Sequence, residues 1–324
     1  MSRTAVHSAV SATLARYSDH ELRALVDAAE PLGSGIGGTA ALLRINGTKV
    51  FVKRLPLTDL ELRNPRSTAN LFELPAFCHY GIGLIGGPGF GAWRELAVHD
   101  MTTSWVIAGL HQGFPLMYHW RVLPHPGQAL PAELSDVDKA VAYWGGGEEI
   151  RRRIEAVRDA SASIALFLEH IPHNVHDWLD PADENACAMV ETQLEAGTSF
   201  LNARGLLHFD GHFQNILTDG EQLYFADYGL AISAEFDLSP DEKEFFADHQ
   251  DYDRRYTGTY LARWLKHAHA DKPVPPHVAA IIERHASTAE AMTDFIRGFQ
   301  REPQLSARFW NASSTSTQPP ELSS

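Results

Sequence analysis

The sequence predicts an α+β protein, with an antiparallel sheet built near the front and helices gathered toward the rear. Three observations predict it. Ala41-Leu42-Leu43-Arg44-Ile45 and Thr48-Lys49-Val50-Phe51-Val52-Lys53 are strand-like segments separated by Asn46-Gly47, a dipeptide favoured in two-residue hairpins because both central positions need positive φ. From near Asn174 the chain becomes helix-rich, with Met189, Leu194, Phe200 and Leu201 on one apolar stripe. Beyond that stripe, Asn215-Ile216-Leu217-Thr218 and Leu223-Tyr224-Phe225-Ala226 read as short strands joined by Asp219-Gly220-Glu221-Gln222, a second hairpin. With 324 residues, 44% of them hydrophobic, the chain can bury a substantial core.

The first 31 residues read as a helical arm. Ser18-Asp19-His20-Glu21 forms a capping box that launches a helix through Leu22, Leu25, Val26 and Ala29. Gly33-Ser34-Gly35-Ile36-Gly37-Gly38 follows and satisfies G-x-G-x-x-G. A dinucleotide site needs a helix directly after such glycines, whereas here strands follow, so the glycine loop joins strands. A glycine-rich flap followed by a lysine on the next strand can cover and clamp nucleotide phosphates, which makes Lys53 the candidate clamp. Strand alternation puts Lys49, Phe51 and Lys53 on one face and Val50, Val52 and Arg54 on the other.

Residues 56–92 read as an insertion. The stretch from 74 to 93 has no acidic residue, Lys or Arg; six glycines and two prolines argue against a membrane span and for a mobile loop. Trp93, Leu96, Ala97 and Met101 then follow helical spacing, which places Glu95 best to pair with Lys53, with Glu61 and Glu73 as rivals. Arg151-Arg152-Arg153 reads as a solvated helix face. Further helical pieces are expected over residues 256–270 and 277–298, and residues 312–324 read as a disordered Ser/Thr/Pro-rich tail.

The chemistry concentrates in His208-Phe209-Asp210-Gly211-His212-Phe213-Gln214-Asn215 and Asp227-Tyr228-Gly229. Phosphoryl transfer needs a group to receive a hydroxyl proton and separate oxygen ligands for Mg²⁺ on ATP. Asp210 fits the first role, and Asn215 and Asp227, brought together by the second hairpin, fit the others. Zinc binding by His208, Asp210 and His212 is an alternative that leaves Asn215 and Asp227 without a role.

These segments together resemble the protein-kinase-like superfamily over roughly residues 32–230, through the glycine loop, the lysine strand, the H-x-D-x-x-x-x-N spacing and a D-F-G-like tripeptide with Tyr in its centre. The resemblance implies a bilobal fold, with a small antiparallel-sheet lobe over residues 32–171 and a mainly helical lobe over 172–311. It implies that Gly33, Gly35 and Gly38 cover the ATP phosphates, that Lys53 holds them and that Glu95 pairs with Lys53. Asp210 is then the catalytic base, and Asn215 and Asp227 ligate Mg²⁺. Ala165-Leu166-Phe167-Leu168-Glu169-His170-Ile171 resembles the strand and hinge whose backbone meets adenine, at Glu169 and Ile171.

Four departures stand out. Phe209 replaces the usual arginine, no A-P-E follows Gly229, and Phe51 replaces a small alanine beside adenine. His212 replaces a lysine and is similar to the small-molecule phosphotransferase branch; a charged imidazole, of ordinary pKa about 6.5, would assist there. The glycine loop and lysine strand make a Ser/Thr-protein-kinase-like enzyme the leading expectation, His212 and the missing A-P-E make a small-molecule phosphotransferase of the aminoglycoside type the alternative, and a catalytically silent nucleotide-binding scaffold is the third reading. Asp237, Asp241, Glu242 and Glu244 would suit a cationic acceptor.

A balance of 27 basic and 41 acidic residues, net −14, disfavours nucleic acid, whose phosphates call for clustered Lys and Arg. Two cysteines and no apolar leader make the cytoplasm the expected location, with no membrane partner.

Overall fold

The structure, a computed structural model, describes residues 2–35, 37–124, 130–307 and 309–310. In chain order its elements are α1 (Arg3–Leu14), α2 (Asp19–Asp27), β1 (Glu30–Gly35), β2 (Gly38–Ile45), β3 (Thr48–Leu57), α3 (Asp59–Arg63) and α4 (Ala92–Ile107). Then come β4 (Met117–Pro124), α5 (Val137–Tyr143), α6 (Glu148–Arg158), β5 (Ala162–Glu169), β6 (His173–Asn174), α7 (Val175–Trp178) and α8 (Glu184–Ala203). The remainder is β7 (Leu206–Leu207), β8 (Ile216–Thr218), β9 (Leu223–Phe225), β10 (Ile232–Ser233), α9 (Pro240–Asp248), α10 (Tyr252–Ala268), α11 (Pro276–Arg284) and α12 (Ala286–Arg301). The chain is α+β, as its sequence predicts.

Five strands form an antiparallel sheet in the order β1-β2-β3-β5-β4. The β2–β3 turn is the expected one, with Asn46 at φ 51° and Gly47 at φ 82°, so both central residues occupy the left-handed region that a primed turn requires. Strand β5 lies between β3 and β4 and is buried on both faces, which explains its near-continuous apolar run. Parity divides the sheet. Leu55, Leu57, Ile164, Leu166 and Leu168 pack with Trp93 and Leu96 of α4, while Val50, Val52, Ala165 and Phe167 join the cluster that holds Val10, Leu14, Leu22 and Val26 of the N-terminal helices. Lys53 shares the first face, so strand alternation alone aims its side chain toward α4.

The capping box at Ser18 is present, with Glu21 accepting from the Ser18 N–H at 2.8 Å. The short strands β8 and β9 pair antiparallel across the expected turn. Behind them α8, α10, α11 and α12 pack together. Residues 277–298 are two helices and not one: they break at His285, whose ring bonds Glu191 of α8 at 3.0 Å and lies against Gly258 of α10.

Two further expectations are corrected. The stretch from 74 to 91 is anchored along its length. Tyr80 is buried among Phe209, Phe245, Tyr252, Phe295 and Phe299, and the carbonyls of Ile82, Gly86 and Gly89 accept bonds from Gln300, Trp144 and Arg153. Arg153 is not solvated: it is buried and bonded to buried Glu61 at 3.0 Å. Residues 312–324 lie outside the described residues. Among the described residues no helix is long and apolar enough to cross a membrane.

Candidate functional site

Lys53, Glu95 and Asp227 meet at one point. The Lys53 Nζ donates to Glu95 Oε1 at 2.8 Å and to Asp227 Oδ1 at 2.9 Å, partners 42 and 174 residues away in sequence. The rivals for Lys53 lie elsewhere. Glu61 caps α3 through Thr58 and accepts from Ala92 N–H at the start of α4, whereas Glu73 is exposed beside Arg152. Lys53 and Glu95 are buried, with side chains 11% and 4% exposed, while Asp227 keeps 41% of its surface open. Burial opposes the Lys53 charge, but the two carboxylates outweigh it and raise its pKa. Burial likewise works to raise Asp227, yet the Lys53 charge and hydrogen bond, with help from the Gly229 N–H, hold it at about 2. Glu95, the more deeply buried acid, is pushed up to about 7. The asymmetry follows from two acids sharing one ammonium.

The loop carrying Asp210 is fixed from below and from the side. Asp253 on α10 accepts the backbone N–H groups of His208 at 2.6 Å and Phe209 at 2.9 Å. Phe209 takes φ 61°, an unfavourable value for a bulky residue, and its ring is wholly buried against Tyr252 at 4.5 Å between centroids. Phe209 thus roots the loop in an aromatic core. Asn215 Nδ2 donates to Asp210 Oδ2 at 2.9 Å and to the Asp210 carbonyl at 3.0 Å, which leaves the lone pairs of the amide oxygen to accept a hydrogen bond or ligate a cation. Asp210 is 19% exposed; burial, then the nearby Asp227 charge, raises its pKa.

His212 differs from expectation. Its Nε2 stands 3.7 Å from Asp210 Oδ1, its Nδ1 accepts from the Gln214 N–H at 3.3 Å, and burial lowers its pKa, so the ring is neutral at neutral pH. The zinc alternative also fails on geometry. His208 is buried, with one ring nitrogen on the Ala226 carbonyl at 3.0 Å and the other receiving the Asp210 N–H at 3.3 Å. Among the described residues no group of three or more His, Cys, Asp and Glu side chains is arranged to hold a metal ion. Mg²⁺ asks for less, since it is commonly held by one or two protein oxygens plus phosphate oxygens and water. The Asp227 carboxylate and the Asn215 amide oxygen fit that donor set.

Two cavities open at this point and share Gly35, Gly37, Asn215 and Asp227 in their walls. One, of about 430 Å³, runs under the β1–β2 turn past Lys53 to Glu169, His170 and Ile171. Phe51 lines it without filling it. Gly33 and Gly35 border it, and a Cβ on either would meet nothing within 4 Å. Gly38 is needed for another reason: a Cβ there would fall 1.9 Å from the Arg54 carbonyl of the neighbouring strand. Glu169 has its N–H on the Leu116 carbonyl at 2.7 Å and its carboxylate on Arg3 at 2.6 and 3.0 Å, so the N–H is not a free contact for adenine. The second cavity, of about 470 Å³, lies on the Asp210 side and is walled by residues of the 81–91 segment.

Sequence reasoning missed four contributors. Gly37 approaches Lys53, for a Cβ there would stand 3.0 Å from Nζ; it is a variable position of the glycine pattern. His99 lies one helical turn beyond Glu95, with Nε2 at 4.0 Å from Oε1, a spacing the sequence does display. Asp253 and Gly81 carry no local signal. The acidic stretch walls neither of these two cavities: Glu242 is buried on Arg94 at 2.7 Å, and Asp237, Asp241 and Glu244 are not among their lining residues. No family model matches the sequence, and no curated protein gives a significant match.

Proposed function

We propose that the chain is an ATP- and Mg²⁺-dependent kinase of protein-kinase-like, two-lobed arrangement, moving the γ-phosphoryl group of ATP to an acceptor hydroxyl. The observation that carries this reading is the Lys53 ammonium held between Glu95 and Asp227 where the two cavities join. An ammonium held by two acids is a preorganised charge for phosphate oxygens, and such positioning supplies most of the catalysis in phosphoryl transfer. ATP would enter the cavity under the β1–β2 turn, with its base toward Ile171 and its phosphates toward Lys53. Mg²⁺, held by Asp227 and Asn215, would neutralise phosphate charge. Asp210 receives the acceptor's hydroxyl proton; the oxygen bonds the γ-phosphorus, the bond to the β–γ bridging oxygen breaks, and ADP leaves with its electron pair. Asn215 holds the Asp210 carboxylate in place, and neutral His212 contributes a hydrogen-bond donor beside it.

Asp210→Asn is expected to lower turnover by roughly 10²–10⁴-fold while Mg·ATP affinity stays near wild type. Asp227→Ala is expected to weaken Mg·ATP binding in calorimetry. A wild-type rate for Asp210→Asn sinks the base assignment, and tight ATP binding without any turnover selects the silent scaffold instead.

A further inference from the structure

The wall opposite Asp210 is the part of the molecule that the kinase reading leaves without a task. It consists of residues 81–91, and it is fixed at intervals by one backbone bond and by side chains from α5 with its C-cap, α6 and α12. Gly81 N–H bonds the Phe209 carbonyl at 3.4 Å, Leu84 N–H bonds the Tyr143 hydroxyl at 2.8 Å, and Trp144 Nε1 bonds the Gly86 carbonyl at 3.0 Å. Gln300 and Arg153 hold the carbonyls of Ile82 and Gly89, each at 3.0 Å. This wall touches the reacting loop, since a Cβ on Gly81 would fall 2.0 Å from Asp210 Oδ1.

We propose that the cavity between this wall and Asp210 is the acceptor site, and that its occupant is an uncharged, hydroxyl-bearing small molecule with an apolar body; this rests on the kinase reading above. Size is the first argument. A serine or threonine of a protein acceptor arrives on a length of extended backbone, which needs an open shelf in front of the base. Here that space is occupied by anchored chain, leaving about 470 Å³, within the range of pockets that enclose small organic ligands.

Chemistry is the second argument. Leu55, Ile85, Leu134, Val157 and Leu230 line the cavity. Of its charged groups away from the Asp210 and Asp227 end, Arg153 is committed to Glu61 and to the Pro88 and Gly89 carbonyls, and Glu95 to Lys53. Glu133, exposed at the edge, is the remaining one among the described lining residues. An anionic acceptor would meet no uncommitted cation there, and a cationic one would meet a single solvated acid. The backbone carbonyls and N–H groups of the glycines are what remains for orienting hydroxyl groups. The hydroxyl at the Asp210 end gives up its proton to that carboxylate and takes the phosphoryl group as described above.

The test uses the full chain with Mg²⁺ and γ-labelled ATP, offered separately to a Ser/Thr peptide library and to a panel of uncharged alcohols comprising monosaccharides, nucleosides, and hydroxylated aromatic and terpenoid compounds. Ile85→Trp and Val157→Trp, at half-buried lining positions on two separate segments, narrow the cavity without touching the reacting groups. The expected result is labelling of an uncharged alcohol, none of peptides or of the chain itself, and an acceptor KM raised about tenfold or more in either variant with unchanged Mg·ATP affinity. Labelled peptides, autophosphorylation, or alcohol transfer indifferent to both tryptophans overturn the proposal. Mg·ATP hydrolysis that no panel member accelerates overturns it as well. Absence of Mg·ATP binding in the wild type is a different failure, since it removes the kinase reading itself.

Discussion

Gly81→Ala isolates the contact between the anchored wall and the proposed base. A methyl group at this position would lie 2.0 Å from Asp210 Oδ1, 2.7 Å from its Cγ and 3.2 Å from its Cβ. Real Cβ atoms stay beyond 3.0 Å, so at least 3.0 − 2.0, or 1.0 Å, of relative displacement is forced. Neither side yields easily. The wall is pinned one residue before by the buried Tyr80 ring and one residue after by the Gln300 bond to the Ile82 carbonyl. The carboxylate is pinned by Asn215 through Oδ2 at 2.9 Å. A misplacement of about 1 Å at a reacting group lowers rate by roughly 10²-fold, equivalent to about 2.7 kcal/mol of barrier, and overpacking removes about 1–3 kcal/mol of stability.

The assay is Mg·ATP hydrolysis with water as acceptor, which needs no knowledge of the natural substrate, together with thermal unfolding and calorimetric ATP affinity. Turnover should fall about a hundredfold with ATP affinity unchanged. An Asp210→Ala background removes the 2.0 and 2.7 Å contacts and leaves the 3.2 Å one, so adding Gly81→Ala there should cost almost no further stability or rate, a strongly non-additive cycle. A Gly81→Ala protein with wild-type turnover and melting temperature refutes the reasoning. So does the same decrement in both backgrounds, because the methyl group would then be acting through something other than the carboxylate.

Two further outcomes follow from buried charge elsewhere. Arg153→Met leaves the Glu61 carboxylate, in a side chain 3% exposed, without its cation; denaturant unfolding should show a loss of about 3–5 kcal/mol, part of it recovered by adding Glu61→Gln, and a loss under about 1 kcal/mol would mean that the pair is solvated. His249, buried between Tyr80 and Trp310, has its pKa lowered to about 4 by burial, with the Phe245 carbonyl bond opposing. Its folded pKa lies below the unfolded value of about 6.5, so its contribution is complete above pH 6.5 and is lost as pH falls toward 4. The integrated effect is about 3 kcal/mol. His249→Gln should therefore lose less stability than wild type between pH 7 and 4, by about that amount; parallel stability curves would contradict this account.

What could be read from the sequence is what local chemistry dictates. Asn46-Gly47 specifies its own turn, the Ser18 and Glu21 side chains close their own cap, and strand parity plus helical spacing suffice to aim Lys53 and Glu95 at each other. The approach of Asn215 to the Asp227 turn was legible for the same reason, since one short hairpin joins them. What could not be read depends on partners far along the chain. Asp253 holds the His208 and Phe209 amides from 45 and 44 residues away, and Arg153 reaches Glu61 across 92. His212 was expected to titrate near neutrality because its sequence neighbours say nothing about the burial that lowers its pKa.

The segment from 74 to 91 was the largest misreading, and its cause is general. Glycine raises the entropy of an unheld chain, and a run of glycines therefore suggests mobility. The same absent side chain lets a held chain approach closely what any other residue would collide with. At Gly81 the collision would be with Asp210, and at Gly91 with Glu61, where a Cβ would lie 2.5 Å from the carboxylate that caps α4. Composition cannot separate these two uses of glycine, because the difference lies in whether Tyr143, Trp144, Arg153 and Gln300 arrive to bond the backbone. Once they do, a stretch that looks like slack chain becomes a held face in contact with the proposed base, and on the proposed reading the shape of the acceptor would be decided there and not in the loop of Asp210.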